Sequence, residues 1–132
     1  MSGERYRVLW IGQVAVVTLP AEIDVTNADA IREELLAVLN QGAVLLVADM
    51  SKTDFCDSSG VSALVRAFRH AAASATALRL VVTTPAVLRV LSITGVDRLV
   101  DVYPSVAASL AGRADQAWPD GATAKADTDG GA

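Results

Sequence analysis

A chain of 132 residues, 52% apolar but only 5% aromatic, suffices for one domain whose core is built of Val, Leu and Ala rather than rings. No apolar run approaches the roughly 20 residues that span a bilayer, and the opening Met1-Ser2-Gly3-Glu4-Arg5 lacks a secretory leader's charged-then-apolar layout, so a soluble cytoplasmic protein is expected. The formal charge of −4 and scattered arginines, without a basic stripe carrying aromatics, argue against nucleic acid; one cysteine and one histidine exclude an internal disulfide and any Cys- or His-rich metal set.

Tyr6 to Trp10 and Val14 to Leu19 are β-prone runs separated by Ile11-Gly12-Gln13, which predicts an N-terminal hairpin. Thr26, with Asp29 three residues on, makes a capping-box-like pair that opens a helix. Its inward stripe is Ala28, Ile31, Leu35, Val38 and Leu39, with Arg32, Glu33 and Glu34 turned away and Gly42 placed to end it. Ala43 to Ala48 is apolar at every position, the mark of an interior parallel strand covered on both faces. After a polar connection, Asp49 to Asp54, and Phe55-Cys56, residues Val61, Leu64, Val65, Phe68 and Ala72 recur at helical spacing and predict a helix from about Ser59 to Ala73.

Leu78 to Thr83 is a further strand. Thr84-Pro85 then reads as an N-cap followed by proline in the first turn, with Val87, Leu88 and Leu91 inward and a stop by Gly95. Leu99 to Tyr103 is a short last strand, and Pro104 opens a final helix through Val106, Ala107 and Leu110. Strands alternating with helices predict an α/β domain over residues 1–115. Its mixed, mostly parallel sheet has about five strands, with about four helices packed on it. Beyond Gln116 only small and polar residues remain after Trp118, so 116–132 is expected to be a disordered tail.

The tetrapeptide Asp57-Ser58-Ser59-Gly60 lies where loop becomes helix. A helix start exposes unpaired N–H groups and the positive end of the peptide dipoles. Ser58 or Ser59 there can serve as an N-cap, and a phosphate is also well received. A catalytic serine does not fit. The lone histidine, His70, is 12 residues further along the same helix, about 18 Å at 1.5 Å per residue, whereas a base must lie within about 3 Å. The G-x-S-x-G nucleophile elbow is also missing. Asp24, Asp49, Asp54 and Asp57 all follow or end strands. They could gather around Mg²⁺, but capping helices and turns is the commoner fate of such residues. Cys56, beside Phe55, reads as a buried small hydrophobe rather than a redox centre.

The apolar strand, Phe55-Cys56, the D-S-S-G tetrapeptide and the apolar-faced helix together resemble the phosphorylation segment of anti-sigma factor antagonists, the bacterial STAS-domain family. Ala21-Glu22-Ile23-Asp24 resembles the family's G-E-[LI]-D segment. Pro85-Ala86-Val87, Leu91 and Ile93-Thr94-Gly95-Val96 resemble its [ST]-P-x-V…L…[ST]-G-[LV] segment. The three occur in the family's order and span roughly residues 6 to 112. Two departures, Pro20-Ala21 before Glu22 and Ala75-Thr76 before the next strand, replace glycines and bear on loop shape.

The resemblance implies an anti-anti-sigma factor, not an enzyme, with no catalytic residues, cofactor or resident metal. Ser58, directly after the aspartate, would be phosphorylated by an anti-sigma factor that is itself a histidine-kinase-like ATPase and serine kinase. A metal-dependent serine phosphatase would reverse the step. The unmodified protein would dock on the anti-sigma factor and free a sigma factor, a partner switch in stress-response transcription. Asp24, Asp57, Ser59, Gly60, Ser62 and Arg66 are the expected partner-binding residues, Gly60 because a bare first turn admits a close approach. Neither nucleic acid nor membrane is an expected partner. The alternative is a STAS domain without a phosphorylation cycle: a scaffold, a transporter-accessory subunit, or a redox- or nucleotide-sensing domain.

Overall fold

In the computed structural model, which describes residues 6–112, the elements run β1 (Val8–Ile11), β2 (Val14–Thr18), β3 (Glu22–Ile23), α1 (Ala28–Leu39), β4 (Leu45–Met50), β5 (Phe55–Cys56), α2 (Ser58–Ala73), β6 (Ala77–Val82), α3 (Pro85–Thr94), a 3-10 turn at Val96–Arg98, β7 (Asp101–Tyr103) and α4 (Val106–Ala111). β1 and β2 form the antiparallel hairpin, turned by Gly12 at φ +60°, a sign that a tight two-residue hairpin turn favours. β4 lies parallel between β2 and β6, and β7 is parallel to β6, giving the order β1-β2-β4-β6-β7. The mixed, mostly parallel five-stranded sheet with four helices is the architecture the alternating pattern predicts.

Side-chain alternation sorts the strands onto two faces. Ala15, Val17, Leu46, Ala48, Leu78, Leu80 and Val82 turn toward α1, α2 and α3 and form the main core with Ile31, Leu35, Leu64 and Leu91. Val16, Val47 and Val81 turn the other way, with Val106 of α4 packed against them. Arg79 ties α4 down by donating from Nη1 to the Ser109 carbonyl at 2.6 Å. The middle of β4 is fully buried on both faces, although Val44, just before it, is exposed.

Several boundaries differ from the expectation. α1 starts at Ala28, with Asn27 in the cap position and no side-chain cap bond. The Asp24 carboxylate takes both the backbone N–H and the hydroxyl of Thr26, so Thr26 closes an Asx turn instead of a capping box. Ala72 is exposed; α2 buries Gly60, Ala63, Leu64, Ala67 and Ala71, a stripe of mostly small residues that brings the helix close to the layer beneath. α4 begins after Ser105, whose hydroxyl accepts from the Ala108 N–H at 3.0 Å. Pro104 therefore lies outside it, Ala107 and Leu110 are exposed, and Ala108 and Ser109 face inward. Residues 116–132, expected as a tail, lie outside the described residues.

Ala75 carries a left-handed φ of +57°, a region costly to a residue with a Cβ. The turn before β6 thus keeps a glycine geometry without a glycine. Ala75→Gly is expected to raise stability by about 0.5–1 kcal/mol, the relief less the extra entropy of an unfolded glycine. Urea unfolding checks it; an unchanged or lower midpoint would show that the turn is not strained.

Candidate functional site

The loops at the carboxyl ends of β2, β4 and β6 are stitched together by threonines. Thr53 is fully buried, donates its hydroxyl to the Pro20 carbonyl at 2.7 Å, and accepts at its own carbonyl from the Thr84 hydroxyl at 2.9 Å. The Asp54 N–H adds a bond to the Ala21 carbonyl at 2.9 Å. This clamp holds β3 against β5 in a small parallel pair, Glu22 beside Phe55 and Ile23 beside Cys56. The pair has two residues per strand, too few for any periodicity to announce it, yet it sets where α2 begins. The Asp57 N–H donates to the Ile23 carbonyl at 3.1 Å, so Asp24 and Asp57 flank the same pair.

Asp57 is the N-cap of α2. Its Oδ1 accepts from the N–H groups of Ser59 at 2.9 Å and Gly60 at 3.2 Å. The capping role considered for the serines therefore belongs to the aspartate. Ser58 is the first helical residue; it is exposed, and its hydroxyl bonds to no described residue. Ser59 is half-buried, and Ser62 and Arg66 are exposed further along α2.

Gly60 is a correction to the expected contact set. It is buried, and a Cβ there would lie 2.6 Å from both Cys56 Sγ and Ile23 Cγ2. The missing side chain lets α2 press onto the β3–β5 pair and does not open a path for a partner. Cys56 is buried, and burial, with the neighbouring Asp57 charge second, pushes its thiol pKa up to about 11. At neutral pH it stays a protonated thiol, without the thiolate that redox sensing uses.

Asp24 and Asp49, like Asp57, take the capping role. Asp24 holds Thr26, and the Thr26 hydroxyl, then its N–H, keeps the Asp24 carboxyl below its usual pKa. Asp49 accepts from the Ser51 N–H at 3.0 Å. Among the described residues no group of three or more His, Cys, Asp and Glu is placed to hold a metal ion, and no helix is long and apolar enough to cross a membrane. His70 sits on the last turns of α2, its Nε2 3.1 Å from Asn40 Oδ1.

Two residues of this surface escaped the sequence reading. Val25 is 74% exposed and Phe55 50%; Val25 directly follows Asp24, and Phe55 lies two residues before Asp57. Cys56 is the buried small hydrophobe its neighbour suggests, and strand alternation sends Phe55 out to solvent. Exposed apolar side chains near an uncommitted hydroxyl make a surface suited to protein contact. Behind it, Ser59, Ser62 and Arg66 face Val25, Asp29 and Arg32 of the α1 side across a groove of about 270 Å³.

Known proteins share both sequence and fold with this chain. The STAS domain model matches residues 7–109. The anti-sigma-B factor antagonist of Bacillus subtilis is 29% identical over 86 residues, covering 65% of this chain and 78% of that protein. The crystal structure of an anti-sigma factor antagonist from Mycobacterium paratuberculosis superposes with a TM-score of 0.75 at 27% identity, over 82% of this chain and 92% of that one. SpoIIAA, a Bacillus cell fate determinant solved in its phosphorylated form, gives 0.63 at 22% identity over 83% and 100% of the two chains. The family match runs from within the first strand's approach to the last helix, across every element that builds the Ser58 surface, and on that ground the chain belongs to the STAS domain family.

Proposed function

We propose that the protein is an anti-sigma factor antagonist whose docking is switched off by phosphorylation of Ser58. The observation that carries this reading is the exposed Ser58 hydroxyl at the first position of α2, left uncommitted because Asp57 caps the helix. The names of the similar proteins from Bacillus subtilis and Mycobacterium paratuberculosis support the partner class, and the phosphorylated form of SpoIIAA supports the modification.

A phosphate on Ser58 brings about −1.5 to −2 charges at neutral pH. The N–H groups of Ser59 and Gly60 are already taken by Asp57, so the new anion meets a carboxylate beside it, with the helix dipole in its favour. A partner that closes over Val25, Phe55 and Ser58 must desolvate that charge. The kinase is then the anti-sigma factor itself, an ATPase of the histidine-kinase-like type, and a serine phosphatase restores binding. Incubation with the purified cognate anti-sigma factor and ATP is expected to add one phosphate, lost in Ser58→Ala and kept in Ser59→Ala, as read by mass spectrometry. An unmodified chain would favour the scaffold role.

A further inference from the structure

The groove beside Ser59 continues. A second depression, about 540 Å³, is lined by Arg32, Leu36, Arg66, Arg69 and His70, and it shares Arg32 and Arg66 with the first. The two form one channel between α1 and α2, leading away from the acceptor serine. Arg32 is already matched by Asp29 at 3.4 Å and Glu33 at 3.2 Å. Arg66 and Arg69 are exposed and form no ion pair with a described residue. Half-buried Leu36 supplies an apolar floor.

The other end of the surface has the opposite sign: Glu22, Asp24, Asp54 and Asp57 sit on or beside the β3–β5 pair. In a chain of net charge −4, an acidic partner segment is repelled broadly. Two exposed arginines without ion pairs to described residues give it a favourable place here, against the one lining carboxylate of Asp29, which is held by Arg32. Arginine's forked donors suit carboxylates in particular. We propose that the α1–α2 groove receives an acidic segment of the docking partner, its carboxylates paired with Arg66 and Arg69. The partner's identity as an anti-sigma factor rests on the function proposed above; the groove's preference for carboxylates does not.

Arg66 and Arg69 lie eight and eleven residues beyond Ser58 on α2, roughly 12 and 16 Å at 1.5 Å per residue. That exceeds the screening length of about 8 Å at physiological salt, so phosphorylation leaves the groove's attraction in place. The groove anchors and the serine end switches.

The test uses the full chain, isotope-labelled, titrated with a ten-residue polyglutamate peptide and, as control, a polylysine peptide of the same length. Saturating amide shifts at Arg32, Arg66, Arg69 and His70 are expected with polyglutamate alone, weakening about tenfold between roughly 50 and 300 mM salt. Arg66→Glu with Arg69→Glu should cut the affinity at least about tenfold, while the two lysine replacements keep the charge but lose the fork and fall between the wild type and the reversed pair. Shifts centred elsewhere, or unchanged by charge reversal, overturn the proposal. Tighter peptide binding after Asp120, Asp127 and Asp129 are changed to Asn would make this chain's own acidic segment the occupant and also overturn it. In a second arm, the reversed pair should bind the cognate anti-sigma factor roughly ten- to a hundredfold more weakly. Equal binding refutes the groove and leaves the antagonist reading intact; an anti-sigma factor that ignores the wild type refutes that reading and leaves the peptide result to judge the groove.

Discussion

Phosphorylated at Ser58, the protein is expected to bind its anti-sigma factor roughly a hundred- to a thousandfold more weakly, equivalent to about 2.7–4 kcal/mol. The energy comes from desolvating the phosphate, beside the like charge of Asp57, when the partner closes over it, and no rearrangement is needed. Ser58→Glu adds only one negative charge, so a smaller loss of roughly ten- to a hundredfold is expected. Ser58 is exposed and holds no structural bond, so either form should unfold within about 0.5 kcal/mol of the wild type. Calorimetric titration with the purified partner, paired with urea unfolding, separates the two quantities. Tight binding by the phosphorylated form would refute the switch, and a large fall in stability would mean that the serine props up the fold.

Gly60→Ala puts two effects against each other. In a helix interior alanine is better than glycine by about 1 kcal/mol. Here the added Cβ would sit 2.6 Å from Cys56 Sγ and Ile23 Cγ2, contacts that force either the β3–β5 pair or α2 to move. Overpacking of this kind costs about 1–3 kcal/mol, and a buried sulfur between two elements has little room to retreat. A net loss of stability is expected, with weaker partner binding because the shifted helix start carries Ser58. Cys56→Ala in the same chain should recover part of the loss, a non-additivity that marks direct contact. A variant as stable as the wild type would show that the layer yields more easily than its packing suggests.

The long apolar patterns were readable from the chain alone. Ala43 to Ala48, Leu78 to Thr83 and the stripe Ile31, Leu35, Val38 bury enough surface to dictate their own placement. What stayed hidden depends on contacts far apart in sequence. Two-residue strands carry no period, so the β3–β5 pair could not be seen. Gly60 next to two serines read as an open approach, because nothing local says that Ile23, some 37 residues earlier, fills the space above it. Thr26 looked like a cap because its competitor, the Asp24 carboxylate, satisfies the turn first. The STAS family was legible through the order of three motifs, whereas the freedom of Ser58 from capping duty needed the geometry of Asp57.

That freedom shapes the lifetime of the modified state. With the Ser59 and Gly60 N–H groups spent on the aspartate, a phosphoryl group on Ser58 would find little internal cradle to rest in. Neither form is locked by the protein's own interior, so the ratio of the two should follow whichever visiting enzyme arrives more often. Under the function proposed above, such a residue would work as a tally of opposing activities and keep no memory of its past.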